Sequence, residues 1–164
     1  MNQMMPATPV PEHRWLERLV GEWDVEETWA PEPGQPEEPF RGSERVRWLG
    51  EIWIVGESEW QMPGGGTAEN LLTLGYDPDK KRYVGTWVCS PMTHLWVYHD
   101  AELDAAGNVL TLSAEGPSMT GEGTASYRDV ITFKSDDHRT LTGHMLGEDG
   151  QWSQLMEAHY YRKT

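Results

Sequence analysis

The stretch LVGEWDVEETW, residues 19–29, contains the point at which the hydrophobic period of this chain changes. The segment before it, residues 11–21, has apolar residues at helical spacing, a proline at its start and a glycine at its end. From Gly21 onward the alternation is that of a strand, which puts Trp23 and Trp29 on one face. The stretch therefore predicts a short amphipathic helix that leads directly into a β-strand.

The rest of the chain has the pattern of one antiparallel sheet. Runs of about eight to ten residues rich in Val, Thr, Trp and Tyr are divided by clusters of Gly, Pro, Asp and Asn, and ten runs qualify as strands. No helical crossover separates them, so parallel pairing is not expected. A twisted sheet of this size splits or closes, and closure removes exposed edges. We predict an all-β fold, a single up-and-down antiparallel β-barrel of about ten strands with a short N-terminal capping helix.

The two ends of such a barrel should differ. We expect a flexible N-terminus over residues 1–10 and a single domain over residues 11–164. Tight turns gather at one end, at residues 49–51, 77–80, 104–107 and 135–138. The helix precedes the first strand and should close this end. The other end is predicted to be a loop-rimmed mouth, bordered by Met92, Met119 and the Pro-rich segment 30–39.

Composition limits the partners and the compartment. The formal charge of −14 over 164 residues disfavours nucleic acids and anionic membranes, since binding to either depends on Lys and Arg. One cysteine excludes an intramolecular disulfide and fits a reducing compartment. The start of the chain has no signal-peptide pattern and no segment has the length of a membrane span, so a cytoplasmic location is expected. Nine Trp and six Tyr predict an aromatic interior.

Strand alternation predicts which side chains point inward. In the third strand the inward set is Gly56, Ser58, Trp60 and Met62. Both faces of the hairpin around SPMT are apolar, and we predict that its aromatic face points inward. That face comprises Trp87, Cys89, His94, Trp96 and Tyr98. Cys89 and His94 would then be cross-strand neighbours at the mouth.

The last hairpin, closed by GEDG at residues 147–150, gives a second prediction of facing. A four-residue loop would pair Met145 with Trp152, Gly143 with Gln154 and Leu141 with Met156. The same face continues through Ala158, Tyr160 and Arg162. His144, Glu157 and His159 are expected on the outer face, which argues against a haem bound through His159.

Two resemblances add to this interpretation. Gly21-x-Trp23 after a short helix resembles the entry motif of lipocalins and other calycins, in which a basic residue on the last strand packs over the Trp. Here the resemblance implies that Arg162 does so, in a cation–π contact of roughly 1 to 2 kcal/mol. LVGEW, GYDPDKKRYVGTW, PSMTGEG, YRDV, SDDH, GEDGQW and MEAHYYRK, in this order, resemble a bacterial family of unknown function, domain family 1579. That resemblance implies a lipocalin-like fold and no particular activity.

Several side chains could carry chemistry. Glu27 should lie inside between Trp23 and Trp29, where a carboxylate needs a partner. Arg128 could pair with it, could bind an anionic head group of a fatty-acid-like ligand, or could face solvent. Cys89 beside His94 has the residue types of an activated nucleophile, although no third orienting residue accompanies them. The acidic run HDAELD, residues 99–104, contains metal-ligating residue types, but a solvated strand end is favoured.

Three hypotheses about function follow. The leading one is a binding module for a small apolar or amphipathic molecule. The second is an isomerase or hydrolase that uses Cys89, His94 or Glu27. The third is a non-binding, homodimeric interaction protein that pairs through strands five and six and whose barrel is filled by its own side chains. The candidate cavity residues are Glu27, Trp29, Trp60, Trp87, Cys89, His94, Trp96, Tyr98, Arg128, Gln154 and Tyr160, with Trp23 and Arg162 as structural closure. No catalytic residue, metal or cofactor is assigned.

Overall fold

Ten antiparallel strands form a closed barrel in a computed structural model that describes residues 5–29, 39–62 and 64–164. The strands are β1 (Gly21–Trp29), β2 (Phe40–Leu49), β3 (Trp53–Gln61), β4 (Thr67–Asp77), β5 (Arg82–Cys89), β6 (Trp96–Leu103), β7 (Val109–Pro117), β8 (Thr124–Ser135), β9 (His138–Leu146) and β10 (Trp152–Arg162). Each strand pairs with the next in sequence, and β1 pairs with β10. The predicted up-and-down barrel is confirmed. Most of the Pro-rich segment 30–39 lies outside the described residues.

The helix closes the end of the barrel that carries the short turns. It consists of α1 (Pro11–Trp15) followed by a 3₁₀ turn, Leu16–Leu19. The indole Nε1 of Trp15 donates a 2.7 Å hydrogen bond to the carbonyl oxygen of Gly107 in the β6–β7 turn. Leu16 and Leu19 are fully buried and cover the bottom of the core. The predicted capping helix is therefore confirmed, and its position follows from its place before β1.

The hydrophobic core fills the helix-capped half of the barrel. Its fully buried members include Leu74 near the end of β4 and Leu110 near the start of β7, both beside the short turns. Phe133 and Trp15 meet edge to face at 5.7 Å between ring centres, which joins the helix to β8. Because this half is packed by its own side chains, any internal space must lie toward the opposite end.

The predicted register of the last hairpin is wrong along its whole length, since Leu141 pairs with Ala158 and not with Met156. Trp152 pairs with Leu146 and Gln154 with His144, so the loop between β9 and β10 is one residue longer than the predicted four-residue loop. A β-bulge at Leu155 then restores the expected facing, and Met156 pairs with Gly143. Gln154 is consequently exposed on the outer surface. Beyond the bulge, Met156, Ala158 and Tyr160 are buried inside, as the alternation predicts.

Candidate functional site

A cavity of about 390 Å³ occupies the half of the barrel between the core and the loop-rimmed end. Met62, Met92 and Met119 border it at the mouth. Its wall is mostly apolar, and its aromatic members are Trp29, Phe40, Trp60, Trp87, Trp96, Tyr98, Tyr127 and Tyr160. This is the composition of a small-molecule site, in which rings supply contact area and a few polar groups fix orientation.

Glycines on neighbouring strands lie beside two of these indoles. A methyl group at Gly42 of β2 would meet the backbone oxygen of Glu59 first and Cδ1 of Trp60 next. A methyl group at Gly116 of β7 would overlap the ring of Trp96, which also meets Tyr127 edge to face at 4.9 Å. The missing side chains therefore leave room for the rings without filling the centre of the barrel.

Glu27 is the most deeply buried carboxyl group of the site, with 1% of its surface exposed. Its Oε1 accepts a 2.5 Å hydrogen bond from the indole Nε1 of Trp29. Its Oε2 has no hydrogen-bond partner among the described residues. Burial raises the pKa of Glu27 to about 7, and the charge of Asp129 adds to the rise. Glu27 is therefore poised to change its protonation state near neutral pH.

A second carboxyl group, Asp129 of β8, also lines the cavity. The hydroxyl of Tyr98 donates a 2.5 Å hydrogen bond to its Oδ2. Burial raises the pKa of Asp129 to about 6, while that hydrogen bond acts in the opposite direction. The pKa of Tyr98 is raised well above its ordinary value by burial and by the neighbouring carboxylate, so its hydroxyl remains a donor.

A buried ion pair joins Glu44 of β2 to Arg139 of β9, with Nη2 of Arg139 2.5 Å from Oε1 of Glu44. The guanidinium carbon lies 3.9 Å from the ring centre of Tyr160 and 4.6 Å from that of Trp23. Sequence reasoning missed this pair. The alternation that places Leu141 and Gly143 inside also places Arg139 inside, two residues earlier, and is the signal that could have found it.

Five buried side-chain atoms have no hydrogen-bond partner within the part of the chain that the structure describes. All five belong to residues that line the cavity. They are Oε2 of Glu27, Nε1 of Trp60, Nδ2 of Asn70, Nε1 of Trp96 and Nε of Arg139. Buried polar atoms are normally paired, so their concentration in one cavity is a property of the site.

Eight of the predicted cavity residues line this space: Glu27, Trp29, Trp60, Trp87, Cys89, Trp96, Tyr98 and Tyr160. His94, Arg128 and Gln154 do not. The aromatic face of β5 and β6 points inward, since Trp87 pairs with Trp96 and both line the cavity.

Arg128 is not the partner of Glu27. It is exposed on the outer wall, where its guanidinium carbon lies 4.2 Å from the ring centre of Trp152. Its neighbour Asp129 takes the inward position of β8 together with Tyr127 and Ile131. Neighbouring residues of a strand face opposite sides, so Arg128 faces outward where Asp129 faces inward. The expectation of an internal Arg128 is therefore wrong.

Cys89 and His94 do not form a hydrogen-bonded pair among the described contacts. The β5–β6 ladder stops at Trp87 and Trp96, and Nε2 of His94 lies 3.1 Å from the carbonyl oxygen of Glu115. Burial raises the pKa of the Cys89 thiol, which is the opposite of the change that activates a nucleophile. The cross-strand neighbour of Cys89 is Asn70 of β4.

The remaining candidate ligands of metals face outward. His159 lies on the outer wall, with Nε2 2.9 Å from Oε1 of Glu157 and Nδ1 2.9 Å from Nε2 of His138. Asp100, in the acidic run, pairs with Arg82 at 3.5 Å. The described residues contain no group of three or more His, Cys, Asp or Glu placed to hold a metal ion.

The floor of the barrel is formed by Trp23, which is fully buried. Its Nε1 donates a 2.9 Å hydrogen bond to the carbonyl oxygen of Leu19 at the end of the helix. The guanidinium carbon of Arg162 lies 4.2 Å from the Trp23 ring centre, and its Nη1 donates a 2.7 Å bond to the carbonyl oxygen of Val20. The predicted contact between Trp23 and Arg162 is present and ties β10 to the helix.

Several solved structures are similar to this chain. The crystal structure of Rv2717c from M. tuberculosis has a TM-score of 0.62 and 12% identity, covering 96% of this chain and 100% of that one. A de novo designed fluorescence-activating β-barrel has a TM-score of 0.49 and 12% identity, over 94% and 100% of the two chains. EF1p2_mFAP2b, solved bound to DFHBI, has a TM-score of 0.48 and 15% identity, over 92% and 98%. These likenesses concern the fold alone.

Two further results concern the sequence and the helices. None of the curated proteins compared with the chain is detectably similar to it. Within the described ranges, no helix has the length and apolar character needed to cross a membrane.

The chain matches a family described as "Protein of unknown function (DUF1579)" over residues 8–162. Since the match spans nearly the whole chain, this protein belongs to the DUF1579 family.

Proposed function

We propose that the barrel binds a small amphipathic molecule in the cavity between its aromatic wall and its buried polar groups. The observation that carries the proposal is the set of unpartnered polar atoms around an apolar space of about 390 Å³. Ligand pockets of roughly 300 to 1,000 Å³ are typical for small molecules. Leaving a buried donor or acceptor unpaired costs about 1 to 3 kcal/mol, which a ligand with matching groups would offset.

The position of Trp29 supports entry from the loop-rimmed end. Its side chain is 43% exposed, yet it lines the cavity and bonds to the deeper Glu27. One ring therefore reaches from solvent to the buried carboxyl group. A ligand that enters past Met92 and Met119 would contact this indole first and the interior carboxyl groups afterwards.

Binding is tested with N-phenyl-1-naphthylamine, a neutral aromatic dye whose fluorescence rises in apolar surroundings. Ala114→Phe adds a ring inside the cavity, whereas Val97→Phe adds the same ring to a position that is 44% exposed on the outer wall. We expect the wild type and Val97→Phe to bind the dye with similar affinity and Ala114→Phe to bind it at least about tenfold more weakly. Near-ultraviolet circular dichroism checks that each variant is folded.

Native mass spectrometry of the purified protein supplies an independent readout. A bound small molecule released on gas-phase activation would support the proposal and give the mass of the ligand. A protein that carries no extra mass and gives no dye response would contradict it. Equal dye binding by folded wild type and Ala114→Phe would also contradict it, because the dye would then bind outside the cavity.

A second candidate function, homodimerisation, is favoured by an apolar strip on the outside of β4 to β6. Leu71 and Val88 are directly paired there and are 40% and 37% exposed, while Leu95 and Val97 are 53% and 44% exposed. Clustered exposed side chains of this kind often mark a protein interface. Sedimentation equilibrium at micromolar concentration tests it, and Val88→Lys should dissociate a dimer formed through this strip. A monomeric wild type would exclude this candidate.

A further inference from the structure

We propose that the ligand is an amphipathic organic cation, an ammonium group on an apolar body, with its positive charge held beside Glu27. This inference rests on the proposed function and specifies the chemical class of the ligand. It departs from the expectation of a fatty-acid-like ligand with an anionic head group.

The wall of the cavity carries more acidic than basic side chains. Three carboxyl groups line the space, those of Glu27, Glu44 and Asp129, against a single guanidinium, that of Arg139. Arg139 is already paired with Glu44. Asp129 has the Tyr98 hydroxyl as a donor. The described lining residues therefore leave no guanidinium or ammonium group for an anionic head group, while Glu27 keeps an unpartnered oxygen.

A cationic ligand and a ligand rich in hydrogen-bond acceptors would each pair different buried groups, and the free-energy cost of leaving each group unpaired decides between them. The indole nitrogens of Trp60 and Trp96 are also unpartnered and would donate a bond to a ligand oxygen. An unpaired neutral donor costs less than an uncompensated buried charge, and Glu27 carries such a charge above about pH 7, where its carboxyl group is ionised. Compensating the negative charge of Glu27 therefore contributes more to ligand binding than pairing the two indole nitrogens does. That compensation requires a positive charge or a strong donor.

The aromatic wall provides the rest of a cation site. The Trp29 indole bonds to Oε1 of Glu27 and leaves Oε2 free. Trp60, Trp87 and Trp96 present further rings to the same space. The negative faces of aromatic rings attract ammonium groups, and the attraction is stronger where the cation is desolvated. A carboxylate among indoles thus binds the charge while the rings bind both the charge and the apolar body.

Protonation of Glu27 gives the site a characteristic pH dependence. Phe40 of β2 and Ala158 of β10 are the cross-strand neighbours of Glu27, and neither side chain carries a charge. The charged or titratable groups around the same space are those of Glu44, Cys89, Tyr98, Tyr127, Asp129, Arg139, His144 and Tyr160. His144, which was expected on the outer face, also borders this space. Burial lowers the pKa of His144, which therefore adds little positive charge near neutral pH. Because burial raises the pKa of Glu27 to about 7, a cation must compete with a proton below that pH. Affinity for a cation should therefore rise between about pH 6 and pH 8.

The experiment compares decylammonium, decanol and decanoate as competitors of N-phenyl-1-naphthylamine at about 150 mM salt, which screens distant surface charges. The three probes share one apolar body and differ in charge. We expect decylammonium to bind at least about tenfold more tightly than decanoate, with decanol between them. Glu27→Gln should weaken decylammonium by about tenfold and change decanol by less than about twofold. Glu26→Gln, on the outer face of the same strand, is the matched control and should behave as the wild type.

The outcomes separate this inference from the proposed function. Binding of decanoate as tightly as decylammonium, with the dye bound normally, would overturn the cation and leave small-molecule binding intact. Absence of dye binding, together with no extra mass in native mass spectrometry, would instead overturn the proposed function. If Glu27→Gln fails to fold, the wild-type pH profile decides: decylammonium affinity must rise from about pH 6 to pH 8 while decanol affinity stays level, and parallel profiles would contradict the inference.

Discussion

Glu44 lies directly across from Trp23 on the paired strands β2 and β1, so the buried ion pair of Glu44 with Arg139 rests on the floor of the barrel. The guanidinium carbon of Arg139 is 4.6 Å from the Trp23 ring centre. The polar base of the cavity and its structural closure are therefore in direct contact.

Breaking this ion pair from one side should destabilise the fold strongly. Arg139→Met leaves Glu44 buried without its partner, and we expect a loss of about 3 to 5 kcal/mol in the free energy of unfolding. The double variant Glu44→Gln with Arg139→Met should lose less than the sum of the single variants, because no uncompensated charge remains. Urea unfolding measures all of these. The exposed Arg45–Glu22 pair, which joins β2 to β1, is the control, and its removal should change stability little.

Arg162 should contribute to stability without contributing to binding. Arg162→Ala removes the contact with Trp23 and the hydrogen bonds to the carbonyl oxygens of Val20 and Arg18, and we expect a loss of about 2 to 3 kcal/mol. Dye affinity at a temperature where the variant is folded should equal that of the wild type. A variant as stable as the wild type, or one that is folded but does not bind the dye, would contradict the assignment of Arg162 to closure.

Trp29 and Trp152 form a matched pair for locating the ligand. Both lie near the mouth and have similar exposure, 43% and 37%, but Trp29 lines the cavity and Trp152 lies on the outer wall under Arg128. Trp29→Ala should weaken binding of the dye by about tenfold, whereas Trp152→Ala should leave it unchanged. Fluorescence titration measures both. Equal effects of the two substitutions would place the dye elsewhere.

Stability should fall as the pH rises through neutrality. The pKa of Glu27 is raised from 4.5 to about 7 and that of Asp129 from 3.8 to about 6. Both carboxyl groups therefore bind a proton more tightly in the folded state than in the unfolded state. The stabilisation is complete below about pH 4 and is lost as the pH rises past about 6 and 7. For Glu27 the loss is on the order of 3 kcal/mol. Urea unfolding from about pH 5 to pH 8 should show a flatter profile for Glu27→Gln than for Glu26→Gln.

Cys89 should react slowly with alkylating reagents. Only 8% of its surface is exposed and burial raises the pKa of its thiol, so the thiolate is scarce at neutral pH. We expect iodoacetamide at about pH 8 to modify the folded protein at least about tenfold more slowly than the urea-unfolded protein. His94→Ala should not change that rate, since His94 bonds to the backbone of Glu115. A fast reaction that depends on His94 would revive the nucleophile hypothesis.

Strand periodicity predicts the barrel, and eight of the candidate cavity residues line the cavity in the structure. Side chains alternate strictly between the two faces of a strand, so Trp23 at the floor fixes Glu27 and Trp29 as inward residues of β1. The same rule located Trp60 on β3. It fails where an extra residue interrupts the ladder. The bulge at Leu155 sent Gln154 outward, and nothing in the local pattern of β10 marks that position.

The polar interactions of the cavity were less accessible from sequence. Val130 and Ile131 are apolar on opposite faces of β8, so the pattern gave no reason to place Asp129 rather than Arg128 inside. The pairing of Glu44 with Arg139 joins residues 95 positions apart and depends on the register of every strand between them. Periodicity determines the face of one strand, whereas a contact across the interior is determined by the closed barrel as a whole.

Closure through β1 and β10 also has a consequence for the order of folding. Trp29 pairs with Met156 and Trp23 with Arg162, so opposite regions of the chain meet at both the mouth and the floor. During synthesis on the ribosome, the barrel cannot close before β10 has emerged, and until then β1 and β9 each present an open edge to other nascent chains. Contacts of such long sequence separation also predict slow folding. The cavity is therefore completed in the last step, together with the seam that protects the chain from aggregation.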